Sequence, residues 1–427
     1  MSGSRRLSEL FGRRRFAIKP GLERIVALLD RLNHPELCFA TIHVVGTNGK
    51  GSTAAFLAAI LTQAGYCTGL FTSPHLVSYT ERFQINGVAI CQERLDALVA
   101  DLLDQAAPEE TFFELTTALA CRWFADNKVQ IAVLESGMGG RSDATAAIPG
   151  IATLLTPVAL DHCQWLGNSL QEIAAEKIGI ATPGSPVLSA CQKPVVQQVI
   201  EEHCRAHNNQ LFLAGRDFST IRNADTSLTY QSASRTINKL MPGLKGRYQT
   251  GNAAVALAAA EQLALLGFPV TVQAMQQGLA TTCCPGRMEL IHLADGTDLL
   301  LDGAHNPAGA QVLSEALSDY ADRRMVLLLG MMEDKDRQGV LQSLLPHFKQ
   351  VITVTPAQER AVSDLDLAAT CTDLGTPASA AGTVMSGLEA ARRAAQSGDL
   401  IVAAGSLFLV GELKALLADT TCEAVRG

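Results

Sequence analysis

No apolar run in this 427-residue sequence is long enough to cross a membrane, which removes integral membrane functions from consideration. The eleven cysteines show neither metal-ligand spacing nor a small disulfide framework, since only Cys283 and Cys284 lie close together. They read as reduced core thiols of a cytoplasmic protein. Charged residues make up only 18%, the net charge is −8, and no long basic tract exists, so nucleic acid is excluded as the main partner. An acidic substrate would need a local basic pocket instead. Tandem repeats and low-complexity tracts are missing as well. The Arg-rich start (Arg5, Arg6, Arg13, Arg14, Arg15) lacks the apolar core of a secretory signal, leaving an organellar transit peptide as the alternative to a cytoplasmic start. Apolar residues are plentiful, at 48% of a chain longer than one core usually supports, so two domains are expected.

The stretch from Ala40 to Ala64 organises the rest. Ala40–Val45 has strand composition and Ser52–Ala64 has helical apolar spacing, so the backbone must turn within Gly46 to Gly51. Gly46, Gly49 and Gly51 permit that turn, the helix N-terminus adds partial positive charge, and Lys50 supplies a full one. A polyphosphate fits this arrangement. The strict phosphate-loop pattern asks for glycine where Val44 stands and for a hydroxyl where Gly51 stands; here the hydroxyls come later, at Ser52 and Thr53. A tight strand-to-helix turn with an incidental lysine is the plainer alternative.

Along the chain, a helix is expected from Pro20 to about Leu32, with Pro20 where its missing N–H costs nothing. A second strand over Tyr66–Phe71 ends in Thr72-Ser73-Pro74-His75-Leu76, a loop beside the phosphate loop if the sheet is parallel. Glu114–Asp126 reads as a helix. Gln130–Leu134 reads as a buried parallel strand ending at Glu135, a carboxylate placed where α/β nucleotide enzymes hold magnesium. The strand Ile151–Thr156 leads to Leu160-Asp161-His162, and Leu170–Ile180 is a helix carrying Lys177. After an alanine-rich helix ending near Leu266, Leu279–Cys284 reads as the linker. Beyond it come a strand pair around Asp295-Gly296, a strand ending in Asp302-Gly303-Ala304-His305-Asn306, and strands over Met325–Leu329, Gln350–Val354 and Leu400–Ala404. The fold class is therefore α/β: a parallel-sheet ATPase domain over residues 1–284, then a smaller Rossmann-like parallel domain over 285–427.

Taken in order, the segments P-G-L-E-R, G-T-N-G-K-G-S, T-S-P-H-L, the run from Glu135 to Thr145, L-D-H, A-A-E-K-I-G-I, P-G-R-M-E, L-D-G-A-H-N-P and A-G-S-L-F-L-V-G-E make the chain resemble the bifunctional dihydrofolate synthase/folylpolyglutamate synthase family of the Mur ligase superfamily. The resemblance implies an ATP-dependent ligase that joins L-glutamate to dihydropteroate and to reduced folates through an acyl phosphate. It further implies that Gly49, Lys50, Gly51 and Ser52 hold the ATP phosphates, that Ser73, Glu135 and His162 bind magnesium, two ions being expected, and that Asn252, Arg287 and Asp302 complete the nucleotide site. Lys50, Glu135, His162, Lys177 and His305 would be catalytic, Lys177 as a carbamate, with Ser406 a further candidate. Gly21, Leu22, Phe113, Glu114, Leu115, Thr116 and Asp143 would face the pteridine substrate. Small molecules would be the partners of a monomer. Ser136, Ser142 and Ala146 depart from the family pattern near the metal and pterin positions. A Mur-type ligase acting on a nucleotide-linked cell-wall precursor is disfavoured by T-S-P-H-L, by Asp143-Ala144-Thr145 and by the expected lack of an extra N-terminal domain. A nucleotide-binding module without ligase activity would not need Ser73, Glu135 and His162 together, nor a second domain bearing Asp302 and His305.

Overall fold

The structure is a computed structural model that describes residues 2–13, 21–396 and 398–423. The expected helix start at Pro20, together with Arg14 and Arg15, lies outside them. Among the described residues the strands form three sheets. The first contains β1 (Ala40–Val45), β2 (Thr68–Phe71), β3 (Phe83–Ile85), β4 (Val88–Ala89), β5 (Ile131–Glu135), β6 (Ala152–Leu155), β7 (Val187–Ser189) and β8 (Leu211–Leu213), in the order β4-β3-β2-β5-β1-β6-β7-β8. The strands from β2 across to β8 run parallel, whereas β3 and β4 add an antiparallel edge.

Both faces of this sheet are covered, as a parallel sheet requires. Along β5 the side chains alternate: Ile131 and Val133 enter one core, Ala132 and Leu134 the other. The first core is closed by the helices Lys50–Gln63, Gln249–Leu263 and Val272–Thr281, the second by Gln92–Leu103 and Phe112–Asp126. Gly278 lets two of these helices approach closely, because a Cβ there would run into the backbone of Ile60. Leu279 to Thr281, within the expected linker, are instead the last turn of the helix Val272–Thr281, with Leu279 buried.

A three-stranded antiparallel sheet lies between the expected elements. It comprises β9 (Phe218–Arg222), β10 (Leu228–Ser232) and β11 (Thr236–Leu240), and Phe218, Tyr230 and Leu240 join it to the first core. The third sheet contains β12 (Glu289–His292), β13 (Asp298–Leu301), β14 (Met325–Leu329), β15 (Val351–Thr353), β16 (Ala378–Ala380) and β17 (Leu400–Ala404), ordered β12-β13-β17-β14-β15-β16. It is parallel except for β12, and it too carries a core on each face. The two large sheets thus make an α/β architecture of two doubly covered layers, with mixed rather than purely parallel edges. None of the helices among the described residues is long and apolar enough to cross a membrane.

Candidate active site

The carboxyl ends of β1, β2, β5, β6, β7, β13, β14 and β17 all open onto one cleft of about 1110 Å³, where ligands of open α/β sheets are expected to bind. The phosphate loop forms its floor. Gly49 ends the loop at φ +89° and caps the helix Lys50–Gln63, which starts two residues earlier than its apolar pattern suggests. Only glycine suits this position, as the backbone is left-handed and a Cβ would collide with the Asn252 amide. Lys50 folds back to donate to the Thr47 carbonyl at 3.3 Å. Ser52 does not line the cleft: it is buried behind the loop, where its hydroxyl accepts from Gln249 Nε2 at 3.2 Å, and Gln249 in turn accepts from Asn252 Nδ2 at 2.8 Å. The polar side of the alanine-rich helix therefore braces the loop from below.

Glu135, the last residue of β5, is buried, and one carboxylate oxygen accepts the Ser73 N–H at 3.2 Å. Burial pushes its carboxyl above the usual range, against the pull of Lys50, the Ser73 N–H, Arg287 and Arg82. His162 opens the short helix Cys163–Leu166 at φ +52°. Desolvation lowers its imidazole to about 4, Lys335 and Lys50 adding to this and Asp161 opposing it, so the ring is neutral at physiological pH. Lys177 is 4% exposed and lines the cleft. Burial, with Lys50 as a second contribution, lowers its amine to about 7. A buried lysine of this kind is part neutral and nucleophilic at neutral pH.

From the third sheet, Arg287, Asp302, His305 and Ser406 reach the same cleft. Asp302 accepts from Tyr248 Oη at 3.0 Å and from the N–H groups of Met288 and Ala304 at 3.0 and 2.9 Å; burial raises its carboxyl while Arg287 opposes the shift. His305 Nδ1 lies 2.8 Å from the Gly303 carbonyl, which leaves Nε2 to face Asp161 at 3.5 Å. Ser406 is buried and spends its hydroxyl oxygen on the Leu409 N–H as a helix cap.

At the far end, Gly21, Phe113, Glu114 and Asp143 line the cleft. Asp143 is fully engaged, with Oδ1 accepting from Thr145 N and Oγ1 at 3.0 and 2.7 Å and Oδ2 from Met138 N at 2.9 Å. It shapes the turn after Glu135. Glu114 caps its own helix through Thr111 and pairs with Arg24 at 2.9 Å. Three expected substrate residues are not at the surface of the cleft. Leu22 packs against the second core, Leu115 is wholly buried in it, and Thr116 bonds Tyr79 Oη at 2.8 Å and the Phe112 carbonyl at 2.7 Å. A helix turns its side chains through 100° per residue, so consecutive residues from Phe113 to Thr116 cannot all face one ligand.

Several residues of the site carry no sequence expectation. Asn306 and Lys335 both bind Asp161 across the cleft, and Asn48 in the phosphate loop bonds Asn306. Position was the available signal, since all four sit in loops at strand ends.

The middle-domain family of Mur ligases matches residues 44–260, and the glutamate ligase domain of Mur ligases matches residues 286–407. The dihydrofolate synthase/folylpolyglutamate synthase of Bacillus subtilis is 36% identical over 352 residues, which cover 79% of this chain and 81% of that protein. Escherichia coli FolC in complex with DHPP and ADP superposes with a TM-score of 0.90 at 28% identity, covering 98% of both chains. The bifunctional folylpolyglutamate synthase/dihydrofolate synthase of Yersinia pestis complexed with AMPPNP and Mn ion gives 0.87 at 28% identity, again covering 98% of both. The chain belongs to the dihydrofolate synthase/folylpolyglutamate synthase family of Mur ligases.

Proposed function

We propose that this chain joins L-glutamate to 7,8-dihydropteroate and to folylpolyglutamates, splitting ATP into ADP and phosphate. The observation that carries the proposal is the meeting in one cleft of a phosphate loop, a buried carboxylate at Glu135, a lysine of low basicity at Lys177, and Arg287 and Asp302 from the other sheet. A carboxylate becomes electrophilic only when one oxygen is turned into a leaving group. Its oxygen attacks the γ-phosphorus, ADP departs, and the glutamate amine then attacks the acyl carbon, so that phosphate leaves with the original carboxylate oxygen. The protein's part is positioning and charge neutralisation.

In this reading Gly49, Lys50 and Gly51 cradle the phosphates, with Ser52 bracing the loop. Asn252, Arg287 and Asp302 hold the rest of the nucleotide. A magnesium ion would neutralise the phosphate charge at Glu135, Ser73 and His162. Among the described residues no three His, Cys, Asp or Glu side chains are grouped closely enough to hold a metal alone, so phosphate and water would have to supply most of the oxygens that magnesium needs. Lys177 as neutral amine could add to carbon dioxide, forming an N–C bond and releasing one proton, and a carbamate there would supply anionic oxygens for that ion. His305 would act from the opposite wall. Gly21, Phe113, Glu114 and Asp143 form the pteridine end. The two units divide near residues 284 and 285 and close on the substrates, and the protein works as a cytoplasmic monomer.

The test is ADP release by the purified chain. Release that requires dihydropteroate and glutamate together supports the proposal; release with ATP alone, unaffected by either, would leave only a nucleotide hydrolase.

A further inference from the structure

Asp161 lies beyond the end of β6 with its side chain 8% exposed. Oδ1 accepts the N–H of its neighbour His162 at 2.9 Å, and the other groups that bond it come from loops of the third sheet. Lys335 Nζ is 2.7 Å from Oδ1, Asn306 Nδ2 donates to Oδ2 at 2.9 Å, and His305 Nε2 stands 3.5 Å from Oδ2. Lys335 is itself only 9% exposed, and its next acid, Asp334, is farther away at 3.8 Å. Asn306 is tied in three directions. Its Oδ1 caps the helix Pro307–Leu317 by accepting the Gly309 N–H at 2.8 Å, and its amide exchanges hydrogen bonds with the Asn48 side chain of the phosphate loop, 3.1 Å each way.

A buried carboxylate and a buried ammonium are stable only as partners, and separating the two sheets would strand both. We infer that Asp161 is a positioning residue, the clasp that holds the loops after β13 and β14 against the loop after β6 through Lys335, His305 and Asn306, while Asn306 also binds the phosphate loop at Asn48. It makes closure of the cleft close to all-or-none: Lys335 cannot reach Asp161 unless Asn306 also reaches Asn48, because the partners of both lie within two neighbouring strand-end loops. Arg287 and Asp302, carried by the same sheet, are thereby delivered to the nucleotide in register. The inference rests on the ligase reading only for the identity of the reactants that are aligned.

The test uses the full chain as wild type, Asp161→Asn, Lys335→Met and the double variant, with thermal unfolding and circular dichroism to establish folding. Small-angle scattering with magnesium AMPPNP and dihydropteroate should show a compact wild type and a larger radius of gyration in each variant. Turnover should fall about 10²-fold in each single variant, the scale expected when reacting groups are misplaced by an ångström. The double variant should be no worse than the poorer single one, because both remove the same contact. Lys335→Arg, which keeps the charge, should recover part of the loss and serves as the reference if Lys335→Met does not fold. Variants with the wild-type scattering profile, or losses that multiply in the double variant, would overturn the clasp. If the wild type released no ADP while the variants still opened, the ligase reading would fall and the clasp would stand.

Discussion

At the phosphate-loop end of the cleft the surface is backbone and a few fixed charges, Gly46 to Gly51 with Glu135 and Lys177, whereas at the end proposed for the pteridine it is made of side chains on a helix and a turn, Phe113, Glu114 and Asp143. The first is held largely by the sheet, since Gly46 to Gly51 and Glu135 stand at or just beyond the ends of buried parallel strands or at the start of the helix that follows, while Lys177 enters from the last turn of the helix Leu170–Ile178. The second is held by a local hydrogen-bond set, three donors on Asp143 and the Arg24–Glu114 pair. In the proposed reading, chemistry common to every substrate would rest on the rigid scaffold, and recognition of the particular substrate on side chains held by local bonds. Damage at the first end should abolish reaction, and damage at the second should alter affinity or stability.

The largest expected effects are therefore Lys50→Ala and Glu135→Ala, each lowering turnover on the order of 10²-fold or more while the protein stays folded. Steady-state ADP release and thermal unfolding measured on the same samples check this; activity near that of the wild type in either variant would erase the difference between the two ends. Next comes Asp143→Ala. It leaves the Met138 and Thr145 donors unpartnered, a cost of about 1–3 kcal/mol each when buried, and should lower the melting temperature while raising KM for dihydropteroate more than KM for ATP. An equal rise in both constants would mean that this turn serves the nucleotide.

The pH dependence of Lys177 sharpens the comparison further. Its amine is lowered from 10.5 to about 7 in the folded chain. The unfolded chain therefore holds a proton between those values that the folded chain has released, and stability gains with pH across that window; below about 7 the cost of the buried charge is fully present. Carbamate forms only from the neutral amine, so labelling by ¹³C carbon dioxide, read by NMR in the metal-free protein, should rise through about pH 7. A rise near pH 10 would place this lysine in solvent. Thr116→Val should have the smallest effect, about 1 kcal/mol of stability from the lost bond to Tyr79, with KM unchanged for every substrate. A shift in KM for dihydropteroate would show that the residue faces the ligand after all.

The same contrast explains what could be read from the sequence. Strands such as Ala40–Val45, Met325–Leu329 and Leu400–Ala404 are legible to the residue because a doubly covered parallel strand is a continuous apolar run between turn residues. The place of Gly49, Lys50 and Glu135 at the cleft is legible because their backbone and charge requirements are local. Leu115 and Thr116 were misplaced because adjacency on a helix says nothing of facing. The sheet from β9 to β11 escaped notice because short, half-exposed antiparallel strands lack a continuous apolar run. Asp161, Lys335 and Asn306 form a cluster only after two sheets dock, at sequence separations of 145 and 174 residues, and no local pattern encodes that meeting.

The central claim is that the carboxylate is activated by transfer of the γ-phosphoryl group before glutamate attacks. The most direct measurement is the fate of ¹⁸O placed in the carboxylate of dihydropteroate, followed by mass spectrometry of the inorganic phosphate released during one turnover with ATP and glutamate. One labelled oxygen should appear in each phosphate, because the acyl carbon–oxygen bond is the one that breaks. Phosphate free of label would contradict the acyl-phosphate account.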